Sequence, residues 1–494
     1  MSTQVVACQL RPCAVHELVA KMPTHEGWLR PAGNLEQSQA KLYDEHNVVI
    51  SYVLRLATSR EVHECDVKQV FTHLFRKTIN LRMLPEMRDG QLWMRELQHE
   101  NLDFQTLKDA EVNAVYHDMA SYRYNMSVGP AWAVRFLPLS PKHDEHIKRT
   151  TMENTEKKLE KLPHVCHIVM SFHHSITDGF TCVRLIRHIL MLLNDVIARN
   201  PIDDSEQYAR MMDIKKQQLV LEEFERAFEA DPKLLQVRAE SLLQSIPDAL
   251  LSKVYPHPST RPPKMKCLPR ILDSKTTAIF VSRCKEEGIT VHTGFSSVIE
   301  ASIVKVLLDA NFIRDTYTIG GLHCIDQRCY FNDVDNAYGD GHGVMDVASE
   351  VPKDILDNFW SHAKQYHEKF KDLQVCKNSI EIEVIVRLTG HNPLTVIDAQ
   401  GIDSLPEKTA PYLTTNMRDV TETLSNCGDN VDLLYYDWMS ATQELGIDWL
   451  SSIHTYNGQL MHTMQYNTQL MDEGLAVPVR VVDLVFEILR KVVE

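Results

Sequence analysis

Uninterrupted apolar runs are missing from this chain. The nearest candidate for a membrane span, residues 183–198, is broken by Arg184, Arg187 and His188, and falls short of the roughly 18 apolar residues that a spanning helix needs. Residues 1–20 lack a basic start followed by an apolar stretch, so no secretory leader is read there. The expected location is cytoplasmic. Positive charge is also scarce: 52 Lys and Arg stand against 67 Asp and Glu, a formal net charge of -15. That balance argues against nucleic acid and anionic membrane surfaces as partners, because both are held by clustered Lys and Arg. The eleven cysteines are odd in number and contain no CxxC pair; spacings such as Cys8 to Cys13 and Cys324 to Cys329 suggest no disulfide framework. Free thiols are expected.

What is present is the make-up of a globular protein, 44% hydrophobic and 24% charged. The length allows two or three domains, or one large fold of two lobes. The chain is organised around Ser171-Phe172-His173-His174-Ser175-Ile176-Thr177-Asp178-Gly179. Before it runs Val165-Cys166-His167-Ile168-Val169-Met170, which suits a strand buried on both faces; after it, Cys182, Val183, Leu185, Ile186, Ile189, Leu190 and Leu193 recur at helical spacing. Strand, tight loop, helix is the expectation. Because side chains alternate along a strand, His173 and His174 should point to opposite faces, which argues against both binding one metal ion. A histidine ending a buried strand, with an aspartate four residues later and then a glycine, reads as a positioned base backed by a rigid loop.

Several other patterns suggest chemistry and fail on spacing. His143-Asp144-Glu145-His146 lacks zinc-protease spacing and reads as a solvated hairpin extension, so no metal site is expected. Gly294-Phe295-Ser296 has Val298 where a nucleophile elbow needs glycine. Gly339-Asp340-Gly341-His342-Gly343 is no dinucleotide fingerprint, and Asp333-Val334-Asp335 is no calcium loop. Gly401-Ile402-Asp403-Ser404-Leu405 mimics a phosphopantetheine attachment motif, but Pro406 and Pro411 leave room for only a short helix.

His173-His174-Ser175-Ile176-Thr177-Asp178-Gly179 resembles the HHxxxDG signature of the acyltransferase superfamily that holds chloramphenicol acetyltransferase, the plant BAHD enzymes, alcohol acetyltransferases and the condensation domains of peptide synthetases. Other segments resemble that superfamily in the expected order: Leu81-Arg82, the strand 129–137, the helix start 288–301, Cys324-Ile325-Asp326-Gln327-Arg328, Tyr412-Leu413-Thr414-Thr415-Asn416, and the Asn457-Gly458 hairpin over 453–467. The DFGWG motif of the plant enzymes is missing, which favours the condensation-like or alcohol acetyltransferase-like branches.

The resemblance implies an α/β fold of two chloramphenicol-acetyltransferase-like lobes, each a mixed sheet with helices, with an active-site tunnel between them. The expected division is an N-terminal lobe over 1–200, a crossover linker with charged helices over 201–270, and a C-terminal lobe over 271–494. The implied activity is transfer of an acyl group from acyl-CoA to a small-molecule alcohol or amine. The rival reading is a condensation enzyme using carrier-bound thioesters, or a non-catalytic scaffold. His174 would be the general base, with His173 in support. Asp178 would turn away from substrate and pair with an arginine, Arg328 first and Arg82 second; Gly179 would let the loop turn; Thr414, Thr415 or Asn416 would meet the oxyanion. No bound cofactor, no metal and a monomer are expected, with acyl-CoA as co-substrate.

Overall fold

The computed structural model describes residues 27–138, 150–245, 247–255, 265–333, 337–390, 410–440, 447–468 and 476–494. The segments 143–146 and 401–405 singled out above lie outside them. Eleven strands build two main sheets: β1 (Val49–Thr58), β2 (Phe104–Thr106), β3 (Trp132–Pro138), β4 (His164–His173), β5 (Met265–Ile271), β6 (Thr316–Asp326), β7 (His342–Pro352), β8 (Ala410–Asp419), β9 (Val431–Ser440), β10 (Ile447–Tyr456) and β11 (Gln459–Asn467).

The first sheet runs β9-β1-β4-β3-β2. Its pairs are antiparallel except β2 with β3. Every residue of β1 is buried, as its mostly apolar and β-branched composition favours. β4 pairs with β1 in register from His164 opposite Thr58 to His173 opposite Val49. The second sheet runs β7-β6-β8-β10-β11-β5, parallel at β6-β8 and β8-β10 and antiparallel elsewhere. Both sheets are therefore mixed, in two α/β lobes.

Helix α1 (Glu64–Lys77) packs against α2 (Gly179–Ala198) in the first lobe. Helices α3 (Val291–Asp309) and α5 (Val477–Val493) pack together on the second, and α4 (Asn378–Thr389) lies against β7. By length and composition α3 could cross a membrane, yet 78% of its apolar window is buried inside the fold. After α2 the chain forms the helices Ile214–Ala230 and Pro232–Ser245, which pack against α4, and then enters the second sheet as β5. The return is made by β9, which leaves the second half of the chain to complete the edge of the first sheet beside β1.

The second sheet has two distinct faces. Leu322, Leu413 and Leu450 join the core of the first lobe. Their neighbours Tyr412 and Trp449 join the core beneath α3 and α5. Alternation along each strand thus assigns one face to the lobe junction and the other to the helices. The β10-β11 hairpin turns on Asn457 and Gly458, both at positive φ (50° and 75°), the geometry that favours Asn-Gly in a two-residue loop. The nine cysteines among the described residues are all unpaired.

Candidate active site

β4 ends at His173, and a single 3-10 turn over His174–Ile176 carries the chain into α2. The turn separates the two histidines, as strand alternation predicts. His173 is buried at 1% exposure; its Nδ1 accepts from the Ser175 N–H at 3.1 Å, and its ring lies 4.4 Å from that of Tyr43. Burial, with the neighbouring His174, lowers its pKa to about 3. A neutral ring fixed by its own loop cannot also reach a substrate.

The His174 side chain is 12% exposed and turns toward Asp340 and His342. Its ring centroid lies 4.5 Å from that of His342, and its Nδ1 lies 3.8 Å from Asp340 Oδ1. Burial and the His342 charge push its pKa down to about 4, against the opposite pull of Asp340 and Asp178. The imidazole is therefore neutral at physiological pH and able to accept a proton.

Asp178 caps α2, with Oδ1 accepting from the Thr181 N–H at 2.9 Å. Oδ2 accepts from Arg328 Nη1 at 2.7 Å and from the Gly341 N–H at 2.9 Å. Burial alone would raise this carboxyl, but the guanidinium and the backbone donors hold it at about 2. Arg328 places all of its donors: Nη1 also reaches Asp326 at 3.1 Å, Nη2 reaches Gly339 O at 2.9 Å and Thr181 Oγ1 at 3.2 Å, and Nε reaches Ala337 O at 3.3 Å. Its guanidinium rests over the Phe180 ring, 4.5 Å from the centroid. The pair ties the first lobe's loop to the second lobe. Arg82, the second choice, is elsewhere, held by Glu96 at 2.8 Å and by carbonyls of its own segment.

Gly179 is the first residue of α2 and needs no left-handed backbone, so turning the loop is not its reason. A Cβ there would meet Met417 Cε at 2.0 Å; the glycine makes room for β8. Of the three residues proposed for the oxyanion, Thr415 shares the junction face with Leu413. Thr414 and Asn416 alternate with it toward the helix side, where Tyr412 packs. Asn416 Oδ1 accepts from the Arg418 N–H at 2.7 Å.

The segment Gly339-Asp340-Gly341-His342-Gly343, which is no dinucleotide fingerprint, belongs to the site. Two backbone groups in it, Gly339 O and Gly341 N, receive the Asp178-Arg328 pair. A Cβ on Gly341 would stand 2.8 Å from Arg328 Nη1. Asp340 is fully buried, and its Oδ1 bonds His342 Nδ1 at 2.6 Å. Burial is the largest influence on His342 and opposes its charge, but the Asp340 charge and hydrogen bond, with the Asp178 and Glu383 charges, together raise its pKa. Glu383 on α4 is coupled to Asp340 and His342; burial, then the Asp340 charge, pushes it up to about 8. The signal available in the sequence was an Asp and a His two apart, on one face of a strand start, flanked by glycines.

The chain has the two-lobed fold of acyltransferases and condensation domains. Among solved structures it is similar to TRI3 trichothecene 15-O-acetyltransferase from Fusarium sporotrichioides, at 11% identity over 95% of this chain and 99% of that one, with a TM-score of 0.64. The condensation domain of the monacolin K polyketide synthase MokA is similar at 10% identity, 93% and 96% coverage and a TM-score of 0.62. The epimerization domain from the third module of tyrocidine synthetase B follows at 14%, 95%, 99% and 0.58. No family model and no curated protein matches the sequence. Likeness at this identity establishes the fold, and proteins named for acetyl transfer, condensation and epimerization share it.

Proposed function

We propose that the chain transfers an acyl group from a thioester, most simply acyl-CoA, to the hydroxyl or amine of a small molecule. The observation that carries this reading is the division of labour in the loop: Asp178 is fully engaged by Arg328 and backbone donors, which leaves His174 as the neutral, partly exposed base at the lobe junction. No relay from Asp178 is involved.

His174 takes the proton of the acceptor O–H or N–H as that atom bonds to the thioester carbonyl carbon. The oxyanion collapses, the C–S bond breaks, and the proton on the imidazolium passes to the departing thiolate. Such base catalysis is worth about 10²–10⁴-fold. Thr415, on the junction face of β8, is the residue of the three proposed to meet the oxyanion. No enzyme nucleophile is required.

The test is release of free thiol from a panel of acyl-CoAs when mixed alcohols and amines are added to the purified chain. Acceptor-dependent release supports the reading. Transfer only from acyl groups carried on a carrier protein replaces it with the condensation reading, which the fold shared with the MokA domain supports.

A further inference from the structure

The pair Asp178-Arg328 is electrostatically closed; the neighbouring cluster is open. Asp340 Oδ2, His174 Nδ1 and both carboxyl oxygens of Glu383 are buried without a hydrogen-bond partner among the described residues. A buried polar atom left unpaired costs about 1–3 kcal/mol, more when charged. The nearby guanidinium of Arg328 is already divided between Asp178 and Asp326. What would satisfy the buried Asp340 carboxylate and the imidazole lone pair together is a cation.

The donors suit a particular kind. His174, Asp340 and His342 each place one ligand atom so that all lie within 4.8 Å of one another. His174 Nδ1 lies 3.8 Å from Asp340 Oδ1, near the spacing of about 3.3 Å between donors around a tetrahedral ion with bonds of about 2.0–2.1 Å; His342 Nδ1, now hydrogen-bonded to the same oxygen at 2.6 Å, would join by giving up its Nδ1 proton as the ion binds. Two imidazoles and one carboxylate suit zinc-class ions, whereas Mg²⁺ and Ca²⁺ prefer all-oxygen sets. The cradle is stiff, because Gly339 and Gly341 on either side of Asp340 are held by Arg328, Thr181 and Asp178.

We infer that His174, Asp340 and His342 form a binding site for a zinc-class divalent cation, and that the cation switches the enzyme off by taking the lone pair of His174. A neutral imidazole has one proton. With Nδ1 on the ion that proton sits on Nε2, and no basic nitrogen remains for the acceptor. The switch rests on the proposed role of His174; the binding site does not.

The experiment titrates Zn²⁺ into the full chain, stripped of metal and with thiols blocked, against a chromophoric chelator, and in parallel follows acyl transfer. One Zn²⁺ per chain is expected, with no competition from Mg²⁺. Asp340→Asn and His342→Gln should each weaken binding by at least about 10–100-fold, and near-ultraviolet circular dichroism identifies which variants are folded. Wild-type transfer should fall as Zn²⁺ binds and return with excess chelator, and either folded variant should need correspondingly more Zn²⁺ for the same inhibition. Absence of one-to-one binding, or equal binding by a folded variant, overturns the site. Binding without loss of an otherwise normal transfer overturns the switch. A chain that binds Zn²⁺ but transfers no acyl group keeps the site and refutes the acyltransferase reading.

Discussion

Two polar clusters meet at the end of β4, and they are built on opposite terms. Around Asp178 and Arg328 every guanidinium N–H and both carboxylate oxygens have partners. Around His174, Asp340 and Glu383, a short distance along the same loops, buried polar atoms are left over. A satisfied network rigidifies, and an unsatisfied one is maintained against its own cost. The contrast is what supports the proposal that the first cluster is scaffold and the second meets a ligand.

The largest effect should come from opening the closed cluster. Asp178→Asn leaves Arg328 buried without its main countercharge and should cost roughly 3–5 kcal/mol of stability, read by urea unfolding. A loss under about 1 kcal/mol would remove the claim that this pair holds the lobes. Gly341→Ala attacks the same node sterically, since Arg328 is too fully bonded to retreat from a new methyl group; a loss of about 1–3 kcal/mol is expected. By contrast His173→Ala should reduce stability more than turnover, because that ring packs on Tyr43 and holds its own loop.

Acid should distinguish the clusters by pH window. His173, His454 and His462 are pushed by burial to about 3, and His174 by burial and His342 to about 4. Unfolded, they titrate near 6.5, so below that pH the unfolded chain binds more protons and stability falls as pH drops. Glu383 and Asp437, raised to about 8 and about 7 by burial first of all, work in the opposite direction and offset part of the loss. Asp178, depressed in the fold, stabilises above pH of about 4, and that contribution is lost as pH falls toward 2. Urea unfolding at pH 7 and pH 5 should differ by about 1–3 kcal/mol in wild type and equally in Asp178→Asn. A difference that vanishes in Asp178→Asn would shift the acid sensitivity to the ion pair.

The smallest effect belongs to Arg82. Its pairing with Glu96 is partly solvated, so Arg82→Ala should cost about 1 kcal/mol or less and leave the acid profile unchanged.

Much of this was legible in the sequence because local rules and burial agreed. The β4 run, the α2 periodicity and the Asn457-Gly458 turn each carry their own signal, whereas the pairing of Asp178 with an arginine, Arg328 first, came from the family resemblance. What was not legible depends on contacts between distant strands. Nothing local says that β9 crosses to the first sheet, that Gly179 is small for the sake of Met417, or that only Thr415 faces the junction. Asp340 and His342 were hidden because their role comes from the loop opposite, more than 150 residues earlier, and not from their own neighbours.

The most direct measurement is turnover of His174→Ala with a thioester that the wild type uses, beside a thermal unfolding scan of both. The expected result is a loss of at least about 10²-fold with the unfolding midpoint preserved. Equal turnover by a folded His174→Ala chain would contradict the account.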